Sequence, residues 1–453
     1  MSPFSQAAPK VYIETYGCQM NAYDTAAMHG ILAAAGFGRA DRLEDADAVL
    51  LNTCSVREHA EHRVLSRVGE LKRRLTERPG NGRGKRTVIG ICGCMAERLG
   101  QEITQNGNGV DLVVGVDQYE QLPELLRTQL MALSAAPNVA TGHRTDVHYV
   151  APVAAYPQNN SHLVTIHKGC DYRCTYCVVP DTRGPQREKS PAAILQEIEA
   201  VVIAGGCEVT LLGQNVTAYR WQDEVDFAGL LRRVAKIDGL QRIRFLTGHP
   251  RDMTDAVIEC IATEPRVCPS LHLPMQSGSD RVLRRMKRLY TRADYLDLIT
   301  KVRACIQDVT FSSDFIVGFP GETEEDFRDT LEVLHEVKYD QIFSFKYSAR
   351  PGTPASRLQD DIPLAVKKER LAKLQEAQAT IWHALATDQI GQVWHGVIEA
   401  AARRPAGVWR LRTANNRKVL LEHSTAAVGE EWLVRITGFD HTTFRGVPLT
   451  KSR

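Results

Sequence analysis

Residues 167–180 read HKGCDYRCTYCVVP, and Cys170, Cys174 and Cys177 stand there in a Cys-x3-Cys-x2-Cys pattern. Structural zinc takes four protein ligands in a tetrahedron, usually as two pairs, and no fourth Cys or His follows at such an interval. Three sulfurs on one loop suit three corners of a 4Fe-4S cubane, whose fourth iron is left to bind a small molecule. A zinc knuckle or a reduced, buried cysteine cluster is the plainer alternative, and the tight spacing weighs against it.

Outward from the triplet, the sequence alternates strand-like and helix-length stretches. Six strands are expected: Leu163 to His167, Glu208 to Leu212, Arg242 to Leu246, Ser270 to Leu273, Thr310 to Val317 and Gln341 to Tyr347. Between them Pro191 to Ala204, Phe227 to Lys236, Asp255 to Thr263, Arg281 to Leu289, Ala293 to Ile306 and Glu324 to His335 read as helices. Six βα units in one run predict a partial (βα)6 barrel of the TIM type, with its active site at the carboxyl ends of the strands. The triplet follows the first strand, at that mouth. Gly213, Gln214 and Asn215, then Gln276 and Ser277, then Gly318 with Gly321, follow other strands there. Glycine lets a backbone approach a ligand closely, and plain turn geometry is the competing reading. Arg281, Arg284, Arg285 and Arg288 recur at helical spacing opposite Val282, Met286 and Leu289. That stripe reads either as a solvated face or as a phosphate-binding one.

Upstream, short apolar runs at Val11 to Thr15, Ala48 to Leu51, Thr87 to Ile91 and Asp111 to Val114 alternate with amphipathic helices, one marked by Val64, Val68, Leu71 and Leu75. The alternation predicts an open parallel α/β sheet. Cys18 in TYGCQMN, Cys54 in NTCSVRE and Cys94 in ICGCMAE each follow a strand. Loops after parallel strands emerge on one edge, so these three would meet as a second three-thiolate site, with ordinary packing as the alternative for each. Cys92 competes with Cys94 for the third place. Residues 131 to 160, rich in Ala, Pro, Asn and His without a period, read as a connection.

Beyond a helical stretch from Leu364 to Ala386, short β-rich runs at Val393 to Ala400, Val408 to Thr413, Lys418 to Leu421 and Trp432 to Ile436 predict a small antiparallel β-barrel. From Thr387 onward ten Lys and Arg stand against six Asp and Glu, a local excess that suits RNA, while the net charge of +2 for all 453 residues says nothing of a partner. Domains are expected at 9–126, 159–386 and 387–451, with a linker at 127–158. No apolar run reaches membrane-spanning length and the N-terminus lacks a secretory pattern, so the expected location is the cytoplasm, away from membranes. Eleven cysteines there are thiols or metal ligands sooner than disulfides.

The triplet, with aromatic Tyr176 before its last cysteine, resembles the signature of the radical S-adenosylmethionine (SAM) enzymes. Nearly the whole chain resembles one family of these, the methylthiotransferases, on TYGCQMN, NTCSVREHAE, CTYCVVPDTRG, LLGQNVTAY, LHLPMQSGSDRVLRRM, DFIVGFPGETEEDF and YSARPGTPAS. The resemblance implies a 4Fe-4S cluster on Cys170, Cys174 and Cys177 that cleaves SAM to a 5'-deoxyadenosyl radical. A second 4Fe-4S cluster would sit on Cys18, Cys54 and Cys94, and the C-terminal barrel would be a TRAM domain. It implies SAM contacts for Tyr176, Gly213, Gln214, Asn215, Gln276, Ser277 and Gly318, and two SAM molecules per turnover.

The activity implied is 2-methylthiolation of N6-(dimethylallyl)adenosine (i6A) next to the anticodon of tRNA, by a monomer. A low-potential electron donor such as a flavodoxin or ferredoxin would serve it, together with iron–sulfur assembly or sulfur-donor proteins. A related target, threonylcarbamoyladenosine in tRNA or a ribosomal protein, is the alternative within the family. A non-catalytic, zinc-stabilised RNA-binding protein is the alternative from another class.

Overall fold

The computed structural model describes residues 8–55, 58–76, 86–105, 109–131, 136–144, 161–402, 407–422 and 426–452. Backbone contacts divide the chain into two compact units. One comprises residues 1–157, 168–172 and 177–187, the other residues 158–167, 173–176 and 188–453.

In the first unit, β1 (Lys10–Tyr16), β2 (Gly38–Arg39), β3 (Ala48–Thr53), β4 (Val88–Gly93), β5 (Leu112–Val114) and β6 (Asn138–Ala140) form a parallel sheet in the order β2-β1-β3-β4-β5-β6. β3 and β4 are buried at every position, as central strands covered on both faces must be. Their period-2 alternation sends Val49, Leu51, Ile89 and Ile91 against Val64, Val68 and Leu71 of α2 (Glu58–Thr76). Ala48, Leu50, Val88 and Cys92 face the other way, toward Met28 and Leu32 of α1 (Gln19–Ala34). The side chain of Leu75 lies outside the described residues, as does most of the stretch read as a connection. Within that stretch β6 pairs with β5 from Leu112↔Asn138 to Val114↔Ala140. Three half-buried edge residues carry too little periodicity to be read as a strand.

In the second unit, Ser161–Thr165, Glu208–Leu212 and Arg242–Phe245 form one three-stranded parallel sheet, and Ser270–His272, Thr310–Val317 and Gln341–Lys346 another. An isolated parallel bridge, Ile243↔Val267, and the bond from Gly248 N to His272 O at 3.1 Å link them. The result is the expected partial barrel, an arc of six strands with a thin seam at its middle. Covering helices start where the sequence supplies caps: Ser190, Asp226, Thr254, Thr291 and Thr323 each accept a backbone N–H of the first turn.

Helix Leu364–Thr387 leads into a closed five-stranded barrel: Val393–Ala401, Val408–Thr413, Lys418–Glu422, Glu431–Asp440 and Thr443–Lys451. An antiparallel barrel is corrected here in one respect. Alternating directions cannot close on an odd number of strands, and the seam between Val419–Leu421 and Phe444–Gly446 is parallel. The last strand escapes the sequence pattern because Pro448 interrupts it. A register shift at Leu433/Val434, opposite Pro448, accommodates the missing N–H.

This barrel is tied to the six-strand arc by charge. Glu208 receives Arg242 Nε at 2.8 Å and Arg244 Nε at 3.0 Å, while Arg244 also donates to the carbonyls of Thr413 at 2.9 Å and Ala414 at 2.7 Å. Burial alone would push the Glu208 carboxyl up, but Arg244, Arg412 and Arg242 outweigh it and bring its pKa down to about 2.

Candidate functional site

The first unit gathers the three dispersed cysteines at the carboxyl edge of its sheet. Cys18 caps α1 after β1, Cys54 follows β3, and Cys94 opens α3 (Cys94–Leu99) after β4. A Cβ added to Gly17, at φ +141°, would stand 2.5 Å from the Cys54 Cβ, so only glycine lets these two loops close on each other. Asn21 Oδ1 accepts the Cys18 N–H at 3.3 Å and its thiol at 3.4 Å, and Asn52 Nδ2 donates to Asn21 O at 2.8 Å. Behind Cys54, Ser55 and Arg98 both bond Glu61, which fixes that loop to α3.

Two thiols are in hydrogen-bond contact. Bonding to Cys54 is the main reason that the pKa of Cys18, whose side chain is exposed, falls to about 6 against the desolvation imposed by the crowded loops around it, and Arg183 lowers it further. Cys94 is buried, which pushes its thiol up, and its sulfur accepts Arg183 Nε at 3.2 Å. Arg183, itself 3 % exposed, donates through Nη2 to Asp24 Oδ2 at 2.7 Å. It ends the short helix Val179–Arg183, on the segment that follows Cys177. Arg187 of the same segment reaches Asp117 Oδ2 at 2.8 Å, and His143 bonds the Asp181 carbonyl at 3.0 Å. Cys92 stands apart: it is fully buried in the apolar layer under α1, and burial pushes its thiol up to about 12.

Cys170 donates its backbone N–H to Gly184 O at 3.2 Å, and the Cys177 sulfur accepts Val179 N at 3.5 Å. In the second unit, Cys174 is buried and its sulfur accepts Arg288 Nη1 at 3.5 Å. This arginine corrects the expected stripe. The helix is Asp280–Met286, Lys287 turns left-handed at φ 56°, and Arg288 leaves the helical face to become 5 % exposed. Its other bonds run to Tyr290 Oη at 2.9 Å and Pro274 O at 2.9 Å. Of the remaining three, Arg281 pairs with Asp326, so no continuous basic face forms. Sequence reasoning missed Arg183 and placed Arg288 on a surface stripe, because neither burial nor an N–H···S contact leaves a periodic trace.

The other residues expected at the barrel mouth serve varied ends. Tyr176 packs against Val282, Met286, Phe319, Tyr347 and Ala355. A Cβ at Gly213 would lie 2.1 Å from His167 Nε2, so this glycine makes room for a protein ring. Asn215 is spent on Asp252 at 2.5 Å and Thr217 at 2.8 Å, while buried Ser277 faces the Thr330 hydroxyl at 3.5 Å. Gln276 joins the Thr310–Val317 strand through a parallel bridge to Phe315, and Gly318 N donates to Glu322 at 2.9 Å. Gln214 is half-buried in the same loop as Gly213.

Among the described residues no three Cys, His, Asp or Glu side chains converge as they would around one metal ion. Ligands of a cubane bind separate irons and stand farther apart. The donor set also fits a cluster in a second way, since Arg183 Nη1 and the Tyr119 hydroxyl are buried with no hydrogen-bond partner. Tyr119 feels the charges of Asp24, Arg183 and Cys94, so these two donors share the surroundings of Cys18, Cys54 and Cys94, where sulfide would be an acceptor.

Two family models match the chain. One, described as an uncharacterized protein family, UPF0004, covers residues 10–115, and the Radical SAM superfamily covers residues 164–334. Two radical SAM enzymes of known structure share the fold: the methyltransferase TsrM of Kitasatospora setae, at TM-score 0.55, 14% identity and 77% and 75% of the two chains, and the cobalamin-dependent OxsB, at TM-score 0.51, 13% identity and 83% and 56%. The chain is a radical SAM enzyme, a class that implies a 4Fe-4S cluster and SAM. Relatives named tRNA-2-methylthio-N(6)-dimethylallyladenosine synthase are 46% identical in Hydrogenobaculum sp. over 82% of this chain and 84% of that one, and 41% identical in Dictyoglomus thermophilum over 95% and 96%. The chain belongs to the tRNA-2-methylthio-N(6)-dimethylallyladenosine synthase family.

Proposed function

We propose that this chain transfers a methylthio group to C2 of N6-(dimethylallyl)adenosine beside the anticodon of tRNA. The observation that carries the reading is the gathering of Cys18, Cys54 and Cys94 at one sheet edge, in contact with Arg183 from the segment that follows Cys177. Cys170, Cys174 and Cys177 would hold one 4Fe-4S cluster and Cys18, Cys54 and Cys94 a second. When bound, the clusters and two SAM molecules per turnover supply the transferable sulfur, the methyl group and the primary carbon radical that a strong, weakly acidic C2–H bond demands.

The protein's part is binding and positioning. Tyr176, Gly213, Gln214, Gln276 and Gly318 line the proposed SAM site, and Asn215 and Ser277 act through the loops that they brace. Arg410, Lys418 and Arg435, exposed on the C-terminal barrel, suit phosphate contacts to an anticodon loop whose base leaves its stack at modest cost. A low-potential donor such as a flavodoxin or ferredoxin, sulfur-donor or iron–sulfur assembly proteins, a monomeric state and a cytoplasmic location complete the reading.

Nucleoside mass spectrometry on tRNA from cells lacking the chain tests it. The methylthio mark on i6A should vanish, and return on complementation. Persistence of the mark, or its loss from threonylcarbamoyladenosine instead, overturns the assignment.

A further inference from the structure

Each cysteine trio has one sulfur that accepts a buried arginine, but the two arginines differ in their counter-charge. Arg183 bonds Cys94 and is neutralised at 2.7 Å by Asp24, which is 2 % exposed. Arg288 bonds Cys174, and its other partners are a phenol and a carbonyl; among the described residues no carboxylate pairs with it. A guanidinium stays charged at every relevant pH, so the sulfur of Cys174 has beside it a positive charge with no carboxylate partner among the described residues, while the one beside Cys94 is paired with Asp24. Reduction of an iron–sulfur cluster adds one negative charge, and net charge and N–H···S bonds both tune the potential at which that happens.

We propose that Arg288 and the Arg183–Asp24 pair set the two clusters at different potentials, so that a low-potential one-electron donor reduces the cluster on Cys170, Cys174 and Cys177 first. That electron would cleave the bond from sulfur to the 5'-carbon of the SAM sulfonium, leaving methionine and a 5'-deoxyadenosyl radical, while the cluster on Cys18, Cys54 and Cys94 would stay oxidised. Arg288, Arg183 and Asp24 are positioning residues here. The inference rests on the two-cluster reading above, which iron and sulfide counts per chain test separately.

The experiment is a redox titration followed by electron paramagnetic resonance on the full reconstituted chain, with the opposite trio changed to Ala so that each signal is assigned. Arg288→Gln should move the first cluster to a more negative potential, and Arg288→Lys, which keeps the charge, should restore most of the shift. Asp24→Asn, which unmasks Arg183, should move the second cluster the opposite way, to a more positive potential. No shift in Arg288→Gln, no recovery with Lys, or an unmoved or more negative second cluster in Asp24→Asn overturns the proposal. If Arg288→Gln fails to hold its cluster, the sign of the Asp24→Asn shift decides alone.

Discussion

The two cysteine trios are alike in chemistry and opposite in construction. Cys170, Cys174 and Cys177 come from one eight-residue stretch, so the chain itself keeps their sulfurs close. Cys18, Cys54 and Cys94 come from three loops that meet only because β1, β3 and β4 are neighbours in a parallel sheet. The first trio is kept together by its own loop; the second depends on Gly17, Asn21, Asn52 and the Ser55–Glu61–Arg98 clamp holding three loops together. A local ligand set is robust, and a dispersed one ties its chemistry to the fold of a whole domain.

The sharpest way to break this comparison is to remove one thiol from each trio. Cys174→Ala should abolish both 5'-deoxyadenosine and methylthiolated tRNA, whereas Cys54→Ala should abolish the methylthio product and leave SAM cleavage in place. Liquid chromatography with mass spectrometry reads both, and methylthio product from Cys54→Ala would show that the dispersed trio is not a ligand set.

Next in size is the buried ion pair. Asp24→Ala strands the Arg183 charge and should cost about 3–5 kcal/mol in the metal-free protein, measured by denaturant unfolding of the first unit's signal. Reconstitution should recover part of that loss, because a negatively charged cluster beside Cys94 takes over the role of Asp24. An unfolding midpoint equal to that of the parent chain would remove the ion pair from the account.

Cys92 offers a smaller contrast within the same unit. Its sulfur lies in the apolar layer under α1, so Cys92→Ala should cost about 1 kcal/mol and keep the full iron content. Cys94→Ala should lose the iron of the second cluster. Equal iron loss in the two variants would return the third ligand to dispute.

The smallest effect concerns pH and the segment after Cys177. A hydrogen bond to Asp117 raises the His143 pKa over the opposing effect of burial. The stabilisation is therefore complete below about pH 6.5 and lost as pH rises through the raised value. Asp117 behaves in the opposite sense. Burial opposes its charge, but His143 and Arg187 bring its pKa down to about 2, so its contribution is present above about pH 3.9 and fades as pH falls toward 2. Protection factors for amide hydrogen exchange across residues 177–187, with the base-catalysed intrinsic rate divided out, should fall modestly above neutral pH, and His143→Gln should flatten that dependence. A pH-independent profile in the parent chain would rule the contact out as an anchor.

The sequence alone settled whatever rests on spacing and period. The alternation of strand-like and helix-length stretches gave nearly every element of the six-strand arc, because a half-buried helix or strand must repeat its apolar residues at its own pitch. The Cys170–Cys177 loop was legible for the same reason: its ligands lie within reach along the chain. Tertiary structure alone decided that Arg183 and Arg288 each meet a cysteine sulfur, that Asp24 neutralises only one of them, and that a left-handed Lys287 takes Arg288 off its helix. It also decided that β6 completes the first sheet and that five strands close with one parallel seam. Those facts depend on burial and on which distant residues come into contact, and contact at a distance leaves no period in the chain to read.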